Sequence, residues 1–157
     1  MRDIFKIIEI PRSRNLYFLF IFFLIEGITN WVAYYIFGCL SLGFADIEEY
    51  QQQGLGFAFV SLVVIAPILE TLLVRVLVLE LLHKLKISAS MSVLIAAIIF
   101  GVFRCYNIWY FLATIISVFV FAYYYMALRS QGKWNKILLV IALHALANVL
   151  SFLSAYI

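Results

Sequence analysis

A short set of polar side chains lies inside runs of sequence that are otherwise apolar: Glu26, Asn30, Glu70, Thr71, Arg75, Arg104, His144 and Asn148. Three pairs among them, Glu26 with Asn30, Thr71 with Arg75 and His144 with Asn148, stand four residues apart. On a helix that spacing puts both members on one face. Glu70 is a carboxylate that can take a proton from water as a general base. His144 can donate to a developing oxyanion or carry a proton to a leaving amine. Asn148, one turn on, can supply a neutral oxyanion donor. Arg104 is permanently charged and can neither shuttle protons nor ligate a metal. It can stabilise an oxyanion, or it can clamp Glu70 in a bidentate pair that occupies the place of the water. Together these groups could hydrolyse an amide.

The elements that must carry them are membrane helices. The chain has 157 residues, of which 67% are hydrophobic and 12% charged. A soluble domain carries about 25% charged residues, so there is too little polar surface to cover the apolar mass in water. A bilayer core takes about 20 apolar residues per helix, which divides the chain into spans at 16–40, 55–82, 87–103, 108–128 and 137–157, with an acidic segment at 41–54. No repeat or linker interrupts this series, so 1–157 reads as one all-α membrane domain, a 1–15 N-terminal segment followed by a bundle of about five transmembrane helices.

Charge placement tests that division. The chain holds eleven basic residues, and all but Arg75 and Arg104 fall in the N-terminal segment or in the loops after the second and fourth spans. Asp46, Glu48 and Glu49 lie in the loop after the first. The positive-inside rule then places the N-terminus in the cytoplasm and the C-terminus outside. The expected location is the plasma membrane of a bacterium. The basic residues form no stripe, so nucleic acid is not an expected partner; the lipid bilayer and a membrane protein or membrane-embedded peptide are.

The second run needs further shaping. As one straight helix, 55–82 would be about 42 Å long, against roughly 30 Å of hydrocarbon. It must tilt, kink at Pro67, or split into two pieces. Pro67 has no N–H, so it frees a carbonyl one turn back that needs a partner or water. A kink there would open a polar pocket beside Glu70.

The motifs resemble a known family. Ala66-Pro67-Ile68-Leu69-Glu70-Thr71 through Arg75 is similar to EExxxR preceded by Ala-Pro; Phe100-Gly101-Val102-Phe103-Arg104 is similar to FxxxH; His144-Ala145-Leu146-Ala147-Asn148 matches HxxxN. In this order they resemble the CPBP family, also called Abi, which includes the CAAX prenyl proteases and bacteriocin-processing or immunity proteins. The resemblance covers residues 55–157. It implies an intramembrane peptidase site in which Glu70, His144 and Asn148 keep the family's glutamate, second histidine and asparagine, Phe100 keeps the phenylalanine of the second motif, and Arg75 the arginine of the first. Thr71 replaces the second acid and Arg104 the first histidine. With those two replacements, a catalytically silent pseudoenzyme with a binding or immunity role competes with a glutamate-dependent membrane endopeptidase. A small transporter or channel subunit is a third reading, because buried charges also mark ion pathways.

Other polar residues have structural roles. Buried charges are usually paired, so Arg75 is expected to neutralise an acidic neighbour, and Glu26 to serve Arg75 or Arg104 as a partner. Glu80 with Lys84 reads as a surface ion pair, and Tyr34-Tyr35 and Tyr123-Tyr124-Tyr125 as interfacial belts. No cofactor is expected. Glu70 and His144 supply two ligands where a catalytic zinc takes three from protein, so no metal is expected either. Cys39 and Cys105 could form a disulfide but have neither CxxC nor metal-ligand spacing.

Overall fold

A computed structural model describes residues 4–37, 54–103 and 108–156. Among the described residues, five helices follow an N-terminal segment that ends in a short 3-10 turn, Arg12–Arg14. They are α1, Asn15–Phe37; α2, Leu55–Lys84; α3, Ala89–Phe103; α4, Ile108–Ala127; and α5, Lys133–Tyr156. No strand occurs among the described residues. α1, α2, α4 and α5 are long and apolar enough to cross a membrane; α3 is described over only 15 residues, about 22 Å at the helical rise. The chain is an all-α membrane bundle.

The long second run is one helix, not two pieces. Gly54, at φ 94°, turns the chain into it. Its α-helical course is widened by two π-helical stretches, Val60–Ile65 and Thr71–Val76, on either side of Ala66–Glu70. It ends in a Schellman turn. The amide of Ile87 reaches the Leu82 carbonyl at 3.1 Å and that of Lys86 the His83 carbonyl at 3.0 Å. Lys86 holds the left-handed position, φ 57°, that glycine fills most cheaply.

The basic segments gather at one end of the bundle, as the charge pattern requires. The N-terminal segment is strapped across the ends of α3 and α4: the Ile4 amide donates to Ser90 Oγ (2.8 Å), that of Ile8 to the Tyr123 hydroxyl (3.2 Å) and that of Ile10 to the Ala127 carbonyl (2.9 Å). Gln131 Nε2 donates back to the Ile10 carbonyl and to Asn15 Oδ1, and Arg129 pairs with Glu9 at 2.7 Å. Ile7 and Ile10 are buried beneath the strap.

Two expectations are corrected at this end. Tyr124 and Tyr125 do not face headgroups; both are buried in the bundle. Three consecutive residues on a helix point in three directions, so they cannot form one belt. Tyr124 packs its ring 4.6 Å from that of Phe22. Tyr125 donates to Glu80 at 2.6 Å. Glu80 in turn pairs with Lys136 of α5 at 3.1 Å rather than with Lys84, because it faces a neighbouring helix and not the surface. Cys39, Cys105 and the acidic 41–53 segment lie outside the described residues.

α3 and α4 pack against each other most closely. Small residues on α3 (Ala96, Ala97 and Gly101) are buried against α4, as expected where hydrophobicity cannot drive helices together in lipid. A Cβ on Gly101 would stand 2.6 Å from Ile115 Cγ1 and 3.2 Å from Phe111. Gly101→Ala should therefore destabilise the fold by about 1–3 kcal/mol through overpacking. Thermal unfolding of the purified protein in detergent checks this; an unchanged midpoint would mean that the two helices are not pressed together at Gly101.

Candidate active site

Pro67 determines the local course of α2. Ahead of it, the Ala66 amide reaches back five residues to the Ser61 carbonyl instead of four to Leu62. The next amide in line for Leu62 would belong to residue 67, and proline has none. Leu62 is left with a carbonyl that no helical donor can satisfy, in a segment of the chain where water is scarce. Asn148 of α5 supplies the missing bond: its Nδ2 donates to the Leu62 carbonyl at 2.7 Å. The freed carbonyl anticipated from Pro67 thus exists, and its partner is a residue of the third motif.

One turn earlier on the same face of α5, His144 turns toward α2. Its Nε2 lies 3.6 Å from Glu70 Oε2. That is too long for a direct hydrogen bond and too short for a water in line between them. An oxygen to one side, of a water or of a peptide, can reach both. His144 is 5% exposed and Glu70 17%, so the dyad is reached from the Glu70 side. The ring of Phe121 on α4 stands 5.0 Å from the imidazole and limits its tilt. Glu70 and His144 therefore meet between α2 and α5, while Asn148, one turn on, contacts α2 at Leu62. Among the described residues no three His, Cys, Asp or Glu side chains come together as a metal site.

The remaining residues have other surroundings. Thr71 is fully buried in the packing of α2, at the position of the second acid in the motif. Phe100 is buried with Ala97 and Val118 between α3 and α4. Arg75 lies in the second π-helical stretch, with its side chain outside the described part of the structure; Arg104 lies outside it altogether. Glu26 is 1% exposed. Its Oε1 accepts from Asn30 Nδ2 at 3.0 Å and, closely, from the Ser117 hydroxyl of α4. The expected helix pair Glu26–Asn30 is thus a real contact, and Ser117 joins it across the bundle.

Four of these polar groups stand near the middle of their helices. Glu26 is the twelfth of 23 residues in α1, Ser117 the tenth of 20 in α4 and His144 the twelfth of 24 in α5. Glu70 is the sixteenth of 30 in α2. An ionisable group at the centre of a membrane helix costs at least about 2.5–3.5 kcal/mol, so the hydrogen bonds and the Glu70–His144 attraction offset a large local penalty. Sequence reasoning did not single out Ser117 or Phe121. The signal for Ser117 was present, since Thr114 and Ser117 share one face of an apolar helix; for Phe121, in an aromatic-rich run, there was none.

A family model described as Type II CAAX prenyl endopeptidase Rce1-like matches residues 52–150, more than half of the chain. The chain belongs to the CAAX prenyl endopeptidase family. This is the assignment that the three ordered motifs pointed to, and the matched stretch contains Glu70, His144 and Asn148. No curated protein and no solved structure matches the chain. With its apolar helices, this family membership makes it an integral membrane protein.

The Pro67–Asn148 relation makes a quantitative prediction. Asn148→Ala leaves the Leu62 carbonyl unsatisfied and should cost about 1–3 kcal/mol. In a Pro67→Ala background residue 67 regains an amide able to reach that carbonyl, and the cost should fall well below this. A double-mutant cycle on unfolding in detergent measures the coupling; strictly additive effects would disprove it.

Proposed function

We propose that this CAAX endopeptidase-family protein is a membrane-embedded binding module that receives a transmembrane peptide or partner helix at the Glu70–His144–Asn148 site and does not cut it. The observation that carries the reading is the engagement of Asn148: the amide that an oxyanion would use donates at 2.7 Å to the protein's own Leu62 carbonyl. Two sequence departures support it. Thr71, fully buried, stands where the family motif has an acid, and Arg104 stands where it has a histidine. Loss of a proton-transfer group typically forfeits about 10²–10⁴ in rate. An immunity role of the kind found in the wider family fits such a module, as does an N-terminus on the cytoplasmic side, where the gathered basic residues are favoured.

One observation favours a second reading, a glutamate-dependent membrane endopeptidase. Glu70 and His144 remain 3.6 Å apart, and an oxygen beside them could be activated by the carboxylate and its proton passed to the imidazole. The remaining Asn148 N–H would then meet the oxyanion.

Single-span peptides reconstituted with the protein in proteoliposomes separate the two. The binding module predicts that fluorescence anisotropy detects peptide binding and that mass spectrometry finds no new peptide termini with either the parent protein or Glu70→Gln. Cleavage that falls about 10²–10⁴-fold in Glu70→Gln would overturn the proposal in favour of the peptidase.

A further inference from the structure

At the end of the bundle that carries the basic loops, α2, α3, α4 and α5 enclose a cavity of about 770 Å³. It lies about ten residues along α2 from Glu70, roughly 15 Å at the helical rise, and shares no residue with the candidate active site. Its inner wall is apolar and buried, formed by Leu79, Met126 and the ring of Tyr125. Its mouth carries His83, Lys86, Arg129 and Lys136 against a single carboxylate, Glu80.

The carboxylate is already engaged. Glu80 accepts from the Tyr125 hydroxyl and from Lys136, and Lys136 also stands over the Tyr125 ring at 4.6 Å. Arg129 is held by Glu9 in an exposed pair of the kind that exchanges easily. Lys86 has no carboxylate partner among the described residues. Its backbone adds a second, independent sign. Lys86 occupies the left-handed position of the Schellman turn at φ 57°, where glycine would sit without strain. A lysine there is worse for the fold than glycine, and it lines the cavity. Non-glycine residues held in such conformations cluster where a site needs their side chain.

We infer that this cavity binds the phosphate of an anionic phospholipid headgroup, with Lys86 and His83 as its direct contacts and Arg129 recruited from Glu9. A phosphate suits the site because several donors converge from different elements, and because Ser88 adds a hydroxyl at the cavity rim. The apolar wall of Leu79, Ile87 and Met126 favours a phosphate that brings its own hydrocarbon over one that arrives free in solution. Basic pockets between membrane helices on the cytoplasmic side are the usual receptors for such headgroups.

The test is thermal unfolding of the full-length protein in a neutral detergent, titrated separately with phosphatidylglycerol, with phosphatidylcholine of the same chains and with inorganic phosphate. Phosphatidylglycerol should raise the midpoint and the other two should not. Lys86→Gly should weaken the phosphatidylglycerol response about tenfold in apparent affinity. Its midpoint without lipid should be unchanged or higher, since glycine suits the turn, and this distinguishes a lost contact from a damaged fold. Arg14→Gln, an exposed charge away from the cavity, should respond as the parent protein does. Equal responses to both lipids, an undiminished response in Lys86→Gly, or an equal loss in Arg14→Gln would overturn the site. An equal response to inorganic phosphate would overturn the lipid and assign the cavity to a soluble phosphate.

Discussion

In hydrocarbon a backbone carbonyl without a donor costs several kcal/mol, because no water is present to take the place of the missing bond. The arrangement of this site follows from one such carbonyl. Pro67 withholds the amide that Leu62 needs, and α2 responds by widening into a π-helical stretch on the N-terminal side of the proline. The widening cannot satisfy Leu62, so a donor has to come from another helix. Asn148 provides it, and in doing so fixes the rotation of α5 against α2. With that rotation fixed, His144, one turn away, can only face Glu70. The proline, the asparagine and the Glu70–His144 contact are thus consequences of one backbone requirement rather than separate features.

The second polar layer obeys the same logic by other means. Glu26 sits at the middle of α1, and its Oε1 is met by Asn30 from its own helix and by Ser117 from α4. Gly27 beside it faces α5, where a Cβ would make ordinary contact with Leu150 at 3.6 Å, so it is the buried carboxylate that ties α1 to α4. Gly101 joins α3 to α4 by shape rather than charge.

Much of this was legible in the sequence, and for identifiable reasons. The five apolar runs and the distribution of Lys and Arg reflect the bilayer directly, so the helices of the described residues and the shared end of the basic loops could be read from them. Pro67 announces a freed carbonyl by its covalent structure alone. The donor to that carbonyl was not legible, because Asn148 presents the same amide whether it serves a substrate or the Leu62 backbone. Glu80 illustrates a similar ambiguity. A lysine four residues on is its obvious partner, yet Lys136, distant in sequence, takes that place because Glu80 points inward between helices. Tyr124 and Tyr125 do not join Tyr123 in a belt, because composition reports what a segment contains and not the 100° that each residue turns through. The Schellman turn at Lys86 was hidden for a different reason: its usual marker is a glycine, and here a lysine adopts the conformation.

The N-terminal strap has a consequence for how the molecule is made. Ile10 bonds to Ala127, and Gln131 to Ile10 and Asn15, so Ile10 and Asn15 find these partners only after more than a hundred further residues have been synthesised. Contacts of such separation form late, after the loop between them has been closed at an entropic cost. α1 can therefore enter the bilayer early and yet remain undocked until α4 and the loop beyond it arrive. This strap is the latch that completes the assembly, and until it closes Ile7 and Ile10, buried in the finished bundle, lack their packing partners.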